Sequence, residues 1–142
     1  MIREFKGKYL FLSNFYNNPV LYNGLVYENA EAAFHASKCI KLEDRFKFAN
    51  LNPSEAKKLG RMIELRDDWE EVKDQIMYEI IKNKFRDCRL RQMLVDTGNE
   101  ELQEGNWWYD TYWGVDIHTG KGLNKLGKIL MKVREEILNG TY

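Results

Sequence analysis

The sequence predicts a mainly helical chain that carries one small β-hairpin near its N-terminus, folded as a single domain over residues 1–142. Three observations carry that prediction. Asn23-Gly24 stands between Val20-Leu21-Tyr22 and Leu25-Val26-Tyr27, the strongest short-range hairpin signal a sequence offers. Beyond it, apolar residues recur at helical spacing, most clearly in Leu123, Leu126, Leu130, Val133 and Ile137. No linker, repeat or low-complexity stretch divides the chain, and its prolines are Pro19 and Pro53 alone.

The elements follow in order. Tyr9 to Tyr16 is aromatic and interrupted by Ser13-Asn14, so it reads as a strand or loop edge. After the hairpin, Tyr27 to Lys38 reads as a short amphipathic helix, and Asp44 to Asn50 as another. Asn52-Pro53-Ser54-Glu55 is a helix start: a capping Asn, Pro at the first position and Glu at the third, with the helix running to about Met62. Asp67 or Asp68 caps the next helix, which keeps Trp69, Val72, Ile76, Ile80 and Lys84 on one face. A further helix over Arg86–Val95 ends at Thr97-Gly98, where glycine suits the cap. Leu102 to Val115 reads as loop with short extended pieces, and the last helix closes the chain.

Bulk composition narrows the function. Hydrophobic residues make up 44% and aromatics 13%, which excludes a disordered polar chain and provides rings for a core and for a pocket. Lys plus Arg and Asp plus Glu each total 22. Zero formal charge argues against bulk attraction to a nucleic-acid backbone or an anionic membrane, but leaves room for a small phosphorylated substrate. Cys39 and Cys88 form no CxxC pattern and are expected to be free, buried thiols. Neither a signal peptide nor an apolar run of membrane length is present, so the expected location is the cytoplasm. His35 and His118 have no third donor at metal-ligand spacing, and no metal is expected.

Two patterns carry chemistry. Glu31 and Lys38 lie seven residues apart, almost two helical turns, so both project from one face. An acid and an amine facing one cleft suit work at a sugar carbon, although such pairs also decorate solvated helices. Lys121, Lys125, Lys128 and Lys132 form a basic stripe along the last helix, which reads either as a solvated face or as a surface that steers an anionic strand. Ahead of it, Gly120-Lys121-Gly122-Leu123-Asn124 enters the helix with exposed backbone N–H groups that suit an anion.

Read together, the segments resemble the YbiA-like NADAR family. The resemblance rests on Phe11-Leu12-Ser13-Asn14-Phe15-Tyr16, the Glu31/Phe34/Lys38 helix, Ala56-Lys57-Lys58-Leu59-Gly60-Arg61 and Leu65-Arg66-Asp67-Asp68-Trp69. It continues through Thr97-Gly98, Asp110-Thr111-Tyr112-Trp113-Gly114, Gly122-Leu123-Asn124-Lys125-Leu126-Gly127 and Leu130-Met131, in family order along nearly the whole chain. Asp67 stands where the family pattern has Pro, and the loop Val115–Thr119 departs from it.

The resemblance implies an α+β fold, mainly helical, with the motifs converging on one pocket. It also implies an N-glycosidase acting on ribosylated substrates, without a cofactor. The first expectation is a ribosylamino-pyrimidine phosphate of riboflavin biosynthesis. The alternatives are removal of ADP-ribose from guanine in DNA or RNA, and a non-catalytic module that binds ADP-ribose or NAD. No obligate protein partner and no membrane are implied. On this reading Glu31, Lys38 and Asp110 are the catalytic candidates. Glu31 would stabilise positive charge at C1 or deprotonate water. Lys38 would act electrostatically or as a nucleophile, and Asp110 would hold ribose hydroxyls or orient the base. Substrate contacts are expected from Ser13, Asn14, Phe15, Arg61, Arg66, Trp69, Trp113, Gly114 and Asn124. Among them Phe15 and Trp113 would stack on the heterocycle, and the two arginines would hold phosphate.

Overall fold

The computed structural model describes residues 1–142, which form two compact units. A central unit comprises Asn14–Lys84, and a terminal unit combines Met1–Ser13 with Phe85–Tyr142.

The central unit opens with the expected hairpin. Strands β1 (Val20–Tyr22) and β2 (Leu25–Tyr27) pair antiparallel, with Val20 opposite Tyr27 and Tyr22 opposite Leu25. Asn23 and Gly24 both have positive φ, +48° and +82°, the backbone that a twisted two-residue turn requires. Alternation then sorts the faces: Val20, Tyr22 and Tyr27 are buried, whereas Leu21 and Val26 are exposed. Helix α1 (Ala30–Ala36) follows, capped by Asn29, whose Oδ1 accepts the Ala32 N–H at 2.7 Å. The Asn29 amide donates onward to the Leu51 carbonyl. Ala30, Ala32, Ala33 and Ala36 are fully buried and let α1 approach its neighbours closely.

Helix α2 (Leu42–Phe46) begins and ends earlier than the sequence suggested, and it buries no residue. Helix α3 (Pro53–Gly60) has the full reciprocal cap: Asn52 accepts from Glu55 N–H and Glu55 accepts from Asn52 N–H. Helix α4 (Trp69–Lys84) buries Trp69, Ile76, Ile80 and Lys84 as the spacing requires, together with Met77 and Ile81. Helices α3 and α4 and the hairpin all pack against α1.

In the terminal unit, Gly7–Leu12 is a 3-10 helix rather than a strand edge. Helix α5 (Cys88–Val95) starts two residues later than expected because the Asp87 carboxylate caps it, accepting from Arg89 and Leu90 N–H. It is closed by Gly98 at φ +66°. Strands β3 (Gly105–Asn106) and β4 (Val115–Asp116) pair parallel, and Ile2 bridges to Leu102. Helix α6 (Lys125–Asn139) buries Leu126, Leu130 and Val133. Leu123 precedes it and is exposed. Buried Arg134 staples α6 to the loop after α5, donating to Thr97 Oγ1 at 2.9 Å and to the Glu100 carbonyl at 2.8 Å. Both cysteines are free; Cys39 is buried, but Cys88 is exposed at the start of α5, contrary to expectation.

Candidate active site

In the central unit the chemistry gathers around α1. Glu31 is its second residue, held by a backbone bond from Glu31 N–H to the Asn14 carbonyl at 3.1 Å. Lys38 lies beyond the helix end, not within it, in a turn where its N–H reaches the His35 carbonyl at 3.2 Å. The turn keeps helical sense, and the Lys38 side chain is half-buried over two rings. Its Nζ lies 6.0 Å from the Phe34 ring centroid and 5.9 Å from that of Trp69. Those rings pack against each other at 5.1 Å, and Trp69 is 5% exposed, so it walls the amine in from below. Nζ also donates to the Gly60 carbonyl at 3.5 Å, at the end of α3, where the helix dipole favours a cation.

Burial pushes the Lys38 ammonium below the ordinary lysine range; the Glu31 charge opposes the shift and Arg61 adds to it. This amine gives up its proton more readily than an ordinary lysine.

His35 was not foreseen in this role. Its Nε2 lies 2.8 Å from Glu31 Oε1, with both side chains nearly buried, at 9% and 13% exposure. The i to i+4 spacing of the two residues was legible in the sequence, whereas the enclosure around them was not.

The remaining candidates of this unit divide. Asn14 is buried, its amide reaches Met77 Sδ, and its Oδ1 has no hydrogen-bond partner. Phe15 is exposed, with Lys57 Nζ 5.9 Å from its ring centroid. Arg61 caps α3 and faces solvent. Arg66 is already engaged: Nε and Nη2 grip the Asp68 carboxylate at 2.6 and 3.1 Å, and Nη1 reaches the Ser37 carbonyl. That fork raises the Arg66 pKa and lowers that of Asp68. The hollow beside it is lined by Ile40, Arg45, Arg66, Asp67 and Asp68, a balanced rim rather than a phosphate cradle.

In the terminal unit the candidates are drawn together by backbone needs. Asp110 Oδ1 accepts from Tyr112 and Trp113 N–H at 3.1 and 3.0 Å, an Asx turn. Buried Asn106 clamps the backbone of Asp110, accepting its N–H and donating to its carbonyl. Asn124 has φ +52° and spends its amide on Glu104 N–H and the Leu102 carbonyl, both at 3.0 Å. A Cβ at Gly114 would collide with Glu104 and lie 2.7 Å from Asn106 Nδ2. Gly114 and Asn124 thus both help to set the backbone of the terminal unit. Trp113 is partly exposed and packs edge-on against Tyr112, and Ser13 ends the 3-10 helix. No group of three His, Cys, Asp or Glu side chains is close enough to hold a metal ion, and no helix is long and apolar enough to cross a membrane.

The chain is similar to known proteins along nearly its whole length. The NADAR domain family model matches residues 2–138. An N-glycosidase of Nostoc punctiforme is 38% identical over 134 residues, covering 89% of this chain and 85% of that protein. A riboflavin biosynthesis protein of Vibrio vulnificus is 33% identical over 89% of this chain, which corresponds to 35% of that longer protein. The NMR structure of the Escherichia coli protein YbiA superposes with a TM-score of 0.85 at 33% identity, covering 99% of this chain and 86% of that one. With a mainly helical α+β fold, one short hairpin and this match along its length, the chain belongs to the NADAR domain family.

Proposed function

We propose that this chain, an N-glycosidase of the NADAR family, hydrolyses the ribosyl C1–N bond of a small phosphorylated ribosylamino-pyrimidine of the riboflavin pathway. The observation that carries the reading is the carboxylate and the shielded amine held at the two ends of α1. Binding a polyanion gives no reason to enclose a carboxylate, so the pair favours an enzyme over an ADP-ribose-binding module. The likeness to a riboflavin biosynthesis protein supports the substrate class, as does the balanced overall charge.

The chemistry follows from the two groups. A ribosylamine opens when its ring oxygen leaves C1, giving an imine between C1 and the pyrimidine amine. A neutral Lys38 Nζ adds to C1, a proton passes from Nζ to the departing amine, and the C1–N bond breaks with its electron pair on that amine. Water then hydrolyses the lysine imine and releases ribose phosphate. Glu31 serves as the proton carrier and faces the positive charge at C1. If Lys38 stays protonated, Glu31 instead deprotonates water for direct attack, and the ammonium holds phosphate.

Pure protein incubated with the ribosylamino-pyrimidine phosphate should release the base, followed by chromatography. Glu31→Gln should abolish release while preserving ligand affinity. The competing reading, ADP-ribose removal from guanine in DNA, draws on exposed Lys121, Lys128 and Lys132, which could steer a strand. Release from ADP-ribosylated DNA alone, falling steeply with salt, would replace the first choice.

A further inference from the structure

Three features of the Glu31 neighbourhood belong together. His35 Nε2 faces Glu31 Oε1 at 2.8 Å. His35 Nδ1 is buried and has no hydrogen-bond partner. Gly60 presents its bare Cα to the same ring: a Cβ there would collide with His35 Nδ1 and lie 2.6 Å from Cγ and 3.0 Å from Cβ. Gly60 sits in the last turn of α3 at ordinary backbone angles. Glycine stands there for space, not for conformation.

The proton's place follows. A proton on Nδ1 alone would point a buried donor at nothing and set the Nε2 lone pair against the carboxylate. A proton on both nitrogens would leave a charged donor without an acceptor. A proton on Nε2 alone gives Glu31 its hydrogen bond and leaves Nδ1 a bare acceptor, the cheapest group to leave unpaired.

We propose that His35 is a positioning residue: its neutral Nε2–H fixes the Glu31 carboxylate, and Gly60 fixes His35 by leaving its ring room. This rests on Glu31 being the catalytic carboxylate. With Oε1 occupied by the imidazole, Oε2 is the oxygen left to meet the sugar or water, and the χ angles of Glu31 are held before substrate arrives. Gly60 thus serves both groups, since its Cα borders His35, which holds Glu31, and its carbonyl accepts from Lys38. No other glycine in the central unit is confined in this way: Gly24 has open space around it.

Four variants and one spectrum test the proposal. His35→Leu keeps bulk and removes the donor; His35→Gln restores an N–H at the i+4 position. His35→Leu should lower kcat about a hundredfold with KM nearly unchanged, and His35→Gln should recover most of it. Gly60→Ala, which touches neither group's chemistry, should lower kcat similarly. The same change in a His35→Ala background should cost nothing further, because the added methyl then has room. Nitrogen NMR of labelled imidazole should show a protonated Nε2 and a bare Nδ1 in the parent protein, whether or not the substrate is the right one.

A protonated Nδ1, a fully active His35→Leu enzyme, or a His35→Gln variant as slow as His35→Leu would each overturn the proposal. If Glu31→Gln remains active, the catalytic reading falls and the positioning role falls with it. If Glu31→Gln is dead while His35→Leu is fully active, only the positioning role is lost.

Discussion

Replacing Lys84 by Met should stabilise the protein, and should do so in a pH-dependent way. Lys84 ends α4 at 2% exposure, its Nζ 5.9 Å from the Tyr16 ring centroid. Burial brings its pKa from the ordinary 10.5 down to about 7. The unfolded chain keeps that proton until the ordinary value, whereas the folded protein releases it near 7. Between those limits unfolding takes up a proton, so stability rises with pH by about 1.4 kcal/mol per unit. Below the lower limit both states are charged and the burial cost is felt in full, on the order of 5 kcal/mol. Methionine keeps an unbranched stem and carries no charge, so the variant lacks this slope. Urea unfolding of parent and variant, followed by Trp fluorescence between about pH 6 and about pH 9, isolates the term by difference. The stability gap should be widest at the acid end and shrink towards the alkaline end. Parallel curves would refute the reasoning, since they would mean that Lys84 titrates alike in both states.

Three further outcomes are expected. Borohydride added during turnover should leave a ribose-phosphate mass on the peptide that contains Lys38, and Lys38→Arg should be inactive, because guanidinium stays protonated; an active Lys38→Arg with no adduct in the parent would leave Lys38 an electrostatic role only. Gly114→Ala should lower stability by about 2 kcal/mol or more through the collision with Glu104, read as a drop in Tm.

What the sequence could say was set by the range of the forces involved. The Asn23-Gly24 turn, the Asn52/Glu55 cap and the α6 stripe depend on neighbours a few residues apart, and all were readable in advance. The 3-10 turn over Gly7–Leu12 was not, because its aromatics are arranged by packing rather than by a periodic pattern. Arg66 illustrates a partner within local reach: the carboxylate that engages it is two residues away. Asn124 illustrates the opposite, since its partners at Leu102 and Glu104 are about twenty residues distant and look like nothing in sequence. Likewise, nothing near Gly60 announces that a ring from α1 lies against it. Motif order along the chain points to the candidate residues, whereas the enclosure of Lys38 and the His35–Glu31 bond emerge only when α1, α3 and α4 meet.

The terminal unit is assembled from both ends of the chain, and this bears on how the protein comes off the ribosome. Ile2 cannot find Leu102, nor Gln103 N–H the Ile2 carbonyl, until the hundred residues between them have been made. Closing a loop of roughly a hundred residues costs about 4 kcal/mol of chain entropy beyond a constant. Asn14–Lys84, by contrast, is one uninterrupted stretch whose hairpin and helices can close over short loops as they emerge. Met1–Ser13 therefore waits for Phe85–Tyr142 while the middle settles. A settled middle shortens the effective span between the two ends, so vectorial synthesis lowers the entropic barrier to the last step.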